Sequence, residues 1–256
     1  ILIGLVGSEM CIRDRFYTAA SGILVQQRNI NVIGNNMTNS QTVGYRSQRV
    51  MQSTFEHNFL TKYEDGKYKY IGEGDPATLV DEVETNFNAS SLEDTDSPFD
   101  MAVAGEGYFN IRGENRQYMT RNGNFNIDEE GYLVLDGVGR VMGESGDLLI
   151  GGSDFTITKE GYVFDANNQY LDKLLITRVA EGSELKKYPN GMFSTDRANI
   201  VDDSDIYQKT LERSNVDMNQ EYTRLIEAQR NLQACATALS TVDAMNAKAA
   251  TLSSIA

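Results

Sequence analysis

The chain has 256 residues, a formal net charge of −14 and 40% hydrophobic residues, enough for one large or two small domains. Its two cysteines and single histidine have no spacing suited to a zinc site or a disulfide framework. No apolar run reaches the ~18 residues of a membrane span, and an acidic chain without a basic patch argues against nucleic acid as a partner. The acid is unevenly placed. Residues 16–49 hold Arg28, Arg46 and Arg49 and no acid, and residues 217–256 are close to neutral, so the charge falls on the middle. There it keeps the subunit soluble, while neutral ends are free to pack.

Residues 1–15 stand apart. Ile1 to Val6 is apolar and Gly7 to Arg15 abruptly polar. No basic region precedes the apolar run and no small-residue cleavage site follows it, so it does not read as a signal peptide. Glu9-Met10-Cys11-Ile12-Arg13-Asp14-Arg15 resembles a translated sequencing-library adapter, and 1–15 is expected to be adapter-derived.

Residues 16–46 predict a first helix and its exit. Phe16, Ala20, Ile23, Gln27, Ile30, Gly34 and Met37 step by fours and threes, a heptad stripe. Ser21, Gly22, Asn29, Asn31, Val32 and Asn35 lower its propensity, so it should become helical only when packed. The helix stops in the polar stretch from Asn35 to Arg46, where Asn and Thr compete for backbone hydrogen bonds and Gly44 can take a positive φ. Residues 47–97 read as a connector with one or two extended segments. His57, within it, reads as a surface residue.

Residues 98–191 predict an all-β domain. Fourteen glycines lie between Gly105 and Gly191, separating short apolar runs such as Tyr108–Ile111, Tyr132–Leu135, Phe155–Ile157 and Leu174–Val179. Glu130-Gly131-Tyr132 and Glu160-Gly161-Tyr162 repeat one hairpin idiom. The acids sit mostly in turns beside glycine, so a paired-carboxylate hydrolase is the lesser reading. Asp202-Asp203-Ser204-Asp205 and Asp94-Thr95-Asp96 offer close oxygens, but neither continues into an EF-hand loop. No cofactor is expected. Residues 192–216 read as a return connector.

Residues 217–256 predict the dominant element, a helix without Gly or Pro, roughly 58 Å long at ~1.5 Å per residue. Its stripe runs through Met218, Tyr222, Leu225, Gln229, Leu232, Ala236, Leu239, Val242, Met245, Ala249, Leu252 and Ile255. Asp217 is placed to cap it, with Gln220 reaching back. Arg230 falls beside the seam, where it could pair with a neighbouring chain. The fold class is α+β. N- and C-terminal helices pack as a coiled-coil-like assembly region around a central all-β domain.

Both ends and the middle of the chain carry a resemblance. Tyr17-Thr18-Ala19-Ala20-Ser21-Gly22 followed by Asn35-Asn36, Asn39, Thr42 and Gly44-Tyr45-Arg46 resembles the N-terminal signature of bacterial flagellar rod and hook proteins. Ser214-Asn215-Val216-Asp217-Met218 with Glu221 and Ile226-Glu227-Ala228-Gln229-Arg230 is similar to their C-terminal signature. Met101–Phe109 and Tyr118–Phe125 resemble their central domain. The chain departs at Asn231–Cys235, where the family often has an aromatic-containing run. Its connector lacks a stretch associated with the distal rod protein, leaning toward the proximal one.

The resemblance implies a non-enzymatic subunit of the basal-body rod. Its partners would be itself, other rod and hook subunits and the flagellar type III export apparatus, which takes it out without a cleaved signal. It also implies that the terminal helices line a tube. The assembly interface is then expected at Phe16, Ala20, Ile23, Gln27, Ile30, Asn36, Met37, Asn39 and Gly44, and at Met218, Tyr222, Leu225, Gln229, Arg230, Leu232, Leu239, Met245 and Leu252. A secreted coiled-coil adhesin or a phage-tail-like protein would combine the same parts, but would trimerise in solution.

Overall fold

A computed structural model describes residues 2–54, 58–64, 67–74, 78–114, 116–180, 183, 185–188, 191–201 and 204–253, with side chains described outside 2–15, 54–81, 249 and 252–253. The protein is α+β, with one helix at each end and strands between. It divides into two compact units. One comprises Ile1–Met37, Gln48–Asn86 and Asp217–Ala256; the other comprises Thr38–Ser47 and Phe87–Val216.

The first unit holds α1 (Leu2–Thr38), α2 (Met218–Ser253) and the strands between α1 and the second unit. Helix α1 runs through the stretch expected to be adapter-derived. The connector contains more strand than expected. β1 (Gln48–Thr54) pairs antiparallel with β4 (Thr78–Thr85), and β2 (Asn58–Glu64) pairs with β3 (Lys67–Gly74) inside it. These nested pairs form a hairpin arm. His57 lies outside the described residues.

Helix α2 starts as its sequence dictates. The Asp217 carboxylate accepts from the N–H groups of Asn219 at 2.9 Å and Gln220 at 3.3 Å, satisfying donors that the first turn leaves orphaned. Gln220 does not complete a capping box: its side-chain oxygen accepts from Arg224 at 3.3 Å. The helices run antiparallel. Asn36 meets Glu221 at 3.3 Å, and a Cβ on Gly22 would meet the Cys235 sulfur at 3.0 Å. These contacts lie fourteen residues apart on each helix, in opposite order.

The second unit is the β domain, and its strands continue past Gly191. Residues 192–216, expected as a return connector, contribute β17 (Met192–Thr195), β18 (Ala198–Ile200), β19 (Asp205–Gln208) and β20 (Thr210–Glu212). These pair respectively with β8 (Gln117–Thr120), β15 (Ile176–Val179), β6 (Met101–Ala104) and β5 (Leu92–Asp94). β7 (Tyr108–Arg112) is central. It pairs with β8 along one edge, and with β15 and β11 (Gly139–Val141) along the other. Four of its five residues are buried. Phe109 and Ile111 enter the main core with Leu133, Val141, Val163 and Ile206. Tyr108 faces a smaller cluster with Met119 and Phe193. Each large apolar side chain buried this way stabilises the domain by ~1.5–3 kcal/mol. Asn110, also buried, donates to Leu175 O at 2.8 Å and accepts from Thr177 Oγ1 at 3.0 Å, so its polarity is matched.

The repeated idiom is one turn used three times. Gly131 and Gly161 sit at φ 89° and 88°. The Gly131 N–H donates to Asp128 O and the Gly161 N–H to Thr158 O, and the side chains of Asp128 and Thr158 accept from the N–H groups of Tyr132 and Tyr162. The third copy spans 165–169. Asn168 takes φ 62°, its N–H donates to Asp165 O, and Asp165 accepts from the Gln169 N–H at 2.8 Å.

Candidate assembly surface

The two signature stretches meet within the second unit rather than on an open face. Gly44, at φ 67°, donates its N–H to Glu212 O at 2.8 Å. A Cβ there would run into the Arg121–Asn122 backbone, so the position needs glycine. Arg46 is 2% exposed and pairs with Glu212 Oε1 at 2.6 Å; Arg121 reaches Oε2 at 3.3 Å. Arg46 also donates to Asn88 O, and Arg121 to Val103 O and Gly105 O. Burial holds the Arg121 guanidinium below its ordinary pKa, with Glu212 opposing that shift. Asn215 accepts from the Ser47 N–H at 2.7 Å, tying the C-terminal signature to the N-terminal one. Lys187 closes over this knot. Its ammonium donates to Arg46 O at 2.9 Å and lies 4.2 Å from the Tyr45 ring centre, and burial lowers its pKa to about 8.

In the first unit, Asn36 is the equivalent fixed point. Its amide donates to Gln48 O at 2.8 Å and accepts from the Gln48 N–H at 2.9 Å. Glu221, buried, accepts from Asn36 and from Arg224 at 2.7 Å. The inward face of α2 follows from there. Glu221, Leu225, Ala228, Leu232, Cys235, Leu239 and Val242 are buried or half-buried, in unbroken steps of four and three. On α1 the corresponding face runs through Ala19, Gly22, Val25, Gln26, Asn29, Val32, Ile33 and Asn36, with Ala19, Val25, Val32, Ile33 and Asn36 buried.

These faces locate each expected interface residue. Met218, Leu225, Leu232 and Leu239 are half-buried, whereas Tyr222, Gln229, Arg230 and Met245 are exposed. Phe16, Ala20, Ile23, Ile30 and Met37 are half-buried and Gln27 is exposed. Their stripe sits one residue C-terminal to the inward one, a rotation of ~100° about the helix axis. Asn36 is buried inside the first unit; Gly44 is buried and Asn39 half-buried in the second. The side chain of Leu252 is outside the described set. Glu221, Ala228, Cys235 and the Arg46–Glu212–Arg121 knot were not anticipated. A strict heptad drawn through Leu225, Leu232 and Leu239 would have reached the first three.

Outside the inward faces, both helices leave large apolar side chains in solvent. Tyr17 and Leu24 stand out from α1; Tyr222, Ile226 and Met245 stand out from α2. Among the described residues, no three His, Cys, Asp or Glu side chains converge as a metal site would require. Asp202 and Asp203, weighed as calcium ligands, lie outside that set. No helix among the described residues is long and apolar enough to cross a membrane.

Residues 207–252 match the family described as flagellar basal body rod FlgEFG protein C-terminal. Residues 102–165 match the flagellar hook protein FlgE/F/G D1 domain. The chain is 30% identical to the flagellar basal-body rod protein FlgG of Caulobacter vibrioides over 254 residues, covering 89% of this chain and 95% of that protein. It is 29% identical to FlgG of Bacillus subtilis, covering 89% and 94%. It is 27% identical to the rod protein FlgF of Caulobacter vibrioides, covering 87% and 91%. The adhesin and hydrolase readings find no support among these relatives. With identity at this level along nearly the whole of its relatives, the chain belongs to the flagellar basal-body rod protein family.

Proposed function

We propose that this protein is a structural subunit of the flagellar rod, without enzymatic activity, which polymerises through its terminal helices into a torque-transmitting axial tube. The observation that carries the reading is the one-sided burial of α2. One heptad stripe of a 36-residue helix is covered, and Tyr222, Ile226 and Met245 remain half in solvent. Apolar residues outside the covered stripe of a long helix are available for a neighbouring subunit. The partners are further copies and other rod and hook subunits. The location is the basal body, in the periplasm-spanning rod, reached through the type III export apparatus.

The test is complementation of a non-motile deletion strain, with secretion measured separately. Ile226→Lys places a charge on the uncovered face and leaves the inward stripe intact. It should be exported and fold but fail to restore motility. Full motility with this variant would sink the helix-seam mechanism.

A further inference from the structure

A groove of about 390 Å³ opens in the first unit, where α1, β1 and α2 converge. Its lining includes the buried apolar residues Val32, Ile33 and Ala228 together with Arg49, Arg224, Glu221 and Glu227. One wall is β1, whose hydrogen-bonding phase can be read from Asn36. Both main-chain groups of Gln48 are taken by the Asn36 amide, so Gln48 makes no ladder bonds to its opposite residue, Thr85. Antiparallel pairs alternate between bonded and non-bonded. The register runs unbroken through Arg49↔Glu84 and Val50↔Val83, the irregularity coming only after Met51. Val50 therefore shares the phase of Gln48, and its N–H and C=O point away from β4. The Asn36 side chain imitates a third strand at Gln48; one step further along the same edge, Val50 lines the groove.

An unpaired strand edge inside a groove accepts an extended segment as an added strand. We propose that this groove takes β18 (Ala198–Ile200) of a second copy of the chain, adding it to β1 at Val50. The inference rests on the rod reading and names a contact within it. β18 pairs only with β15 among the described strands, so its other edge is open. All three of its residues are exposed, and Ile200 is 63% exposed, an apolar side chain suited to the groove floor. It is preceded by Asp196 and Arg197, one acid and one base against the two arginines, Arg49 and Arg224, and two glutamates, Glu221 and Glu227, that line the groove. β5 is also fully exposed, but its Glu93 is already paired with Arg213 and it has no isoleucine to set on the groove floor. Edge and groove are formed by different residues, one in each unit. The contact is therefore heterologous and repeats without closing unless the rotation forms a ring.

The experiment places the photo-reactive amino acid p-benzoylphenylalanine at Gln52, which lines the groove, and irradiates isolated basal bodies. The expected product has twice the chain mass, with the link in the tryptic peptide that begins at Ala198. In the same background Val50→Pro should lower the yield at least tenfold. Proline removes only a donor that faces the groove, so the thermal midpoint of the purified protein should hold. Arg49→Pro deletes a β1–β4 ladder donor and should lower that midpoint. No adduct, an adduct within one chain, or a link to another segment or another protein overturns the proposal and leaves the rod reading standing. Absence of the protein from basal bodies overturns both.

Discussion

Glu212 carries one charge against two buried guanidiniums, and it is the side chain whose loss the fold should feel most. Glu212→Ala leaves Arg46 and Arg121 uncompensated in a water-poor site, which costs about 3–5 kcal/mol for a buried pair broken on one side. Urea unfolding of the purified protein should show that loss. Glu93→Ala, which breaks an exposed pair with Arg213, should leave the midpoint unchanged. Lys187 gives a second test. Its pKa is about 8 in the fold and near the ordinary lysine value of ~10.4 when unfolded. Between those values the unfolded chain binds more protons, so this group's contribution to stability rises with pH. Relative to Lys187→Met, the native protein should gain stability from pH 8 to about 10; a flat difference would mean the ammonium is hydrated. Asn168 tests the third turn. Asn168→Gly should be neutral, whereas Asn168→Val should cost about 1–2 kcal/mol for a β-branched residue held at positive φ. The first two turns were legible because glycine marks them. The third was not, because asparagine fills the same left-handed position without the same signal.

Among elements, the long C-terminal helix was legible down to its cap, and Leu225, Leu232 and Leu239 lie on its inward face. The other half of that face was hidden. Glu221 is charged and Ala228 and Cys235 are too small to stand out from the alanines around them, and a neighbouring tyrosine at 222 drew the stripe aside. The consequence is that Leu232→Asp is a two-edged variant. It disturbs the pairing of α1 with α2 inside one chain as well as any contact between chains, so Ile226→Lys is the cleaner probe of assembly. Gly22→Val provides the converse. Its Cβ would press on the Cys235 sulfur, so hydrogen exchange should accelerate in 16–36 and 221–242 while the β domain keeps its protection. Equal protection in wild type and variant would show that the helices do not depend on each other. The late strands were missed for another reason. β18 has no buried residue and β20 only three residues, too little for an alternating pattern.

For the whole molecule, a rod subunit and a secreted trimeric adhesin differ in what they do before assembly. Sedimentation of the purified protein should give a monomer. Hydrogen exchange of that monomer should be slowest in the 101–176 core and fastest in α2 beyond Val242, where every described side chain is exposed and little burial opposes opening. A stable trimer with a protected α2 C-terminus would contradict this. Placement within the rod was not legible, because relatives named FlgG and FlgF match with similar identity.

Asn36 has a mechanical consequence. It sits two residues from the end of a 37-residue helix and grips the root of the hairpin arm by two hydrogen bonds at once. From Phe16, past the stretch expected to be adapter-derived, the helix is a stiff lever of ~35 Å at ~1.5 Å per residue, and that amide is where lever and arm are pinned. A slip of α1 along its axis must either drag the arm with it or break both bonds together. Load applied to the helix thus reaches the arm through the Asn36 amide as well as along the chain between Thr38 and Gln48, and removing that carboxamide, as in Asn36→Ala, should loosen the coupling without unfolding either.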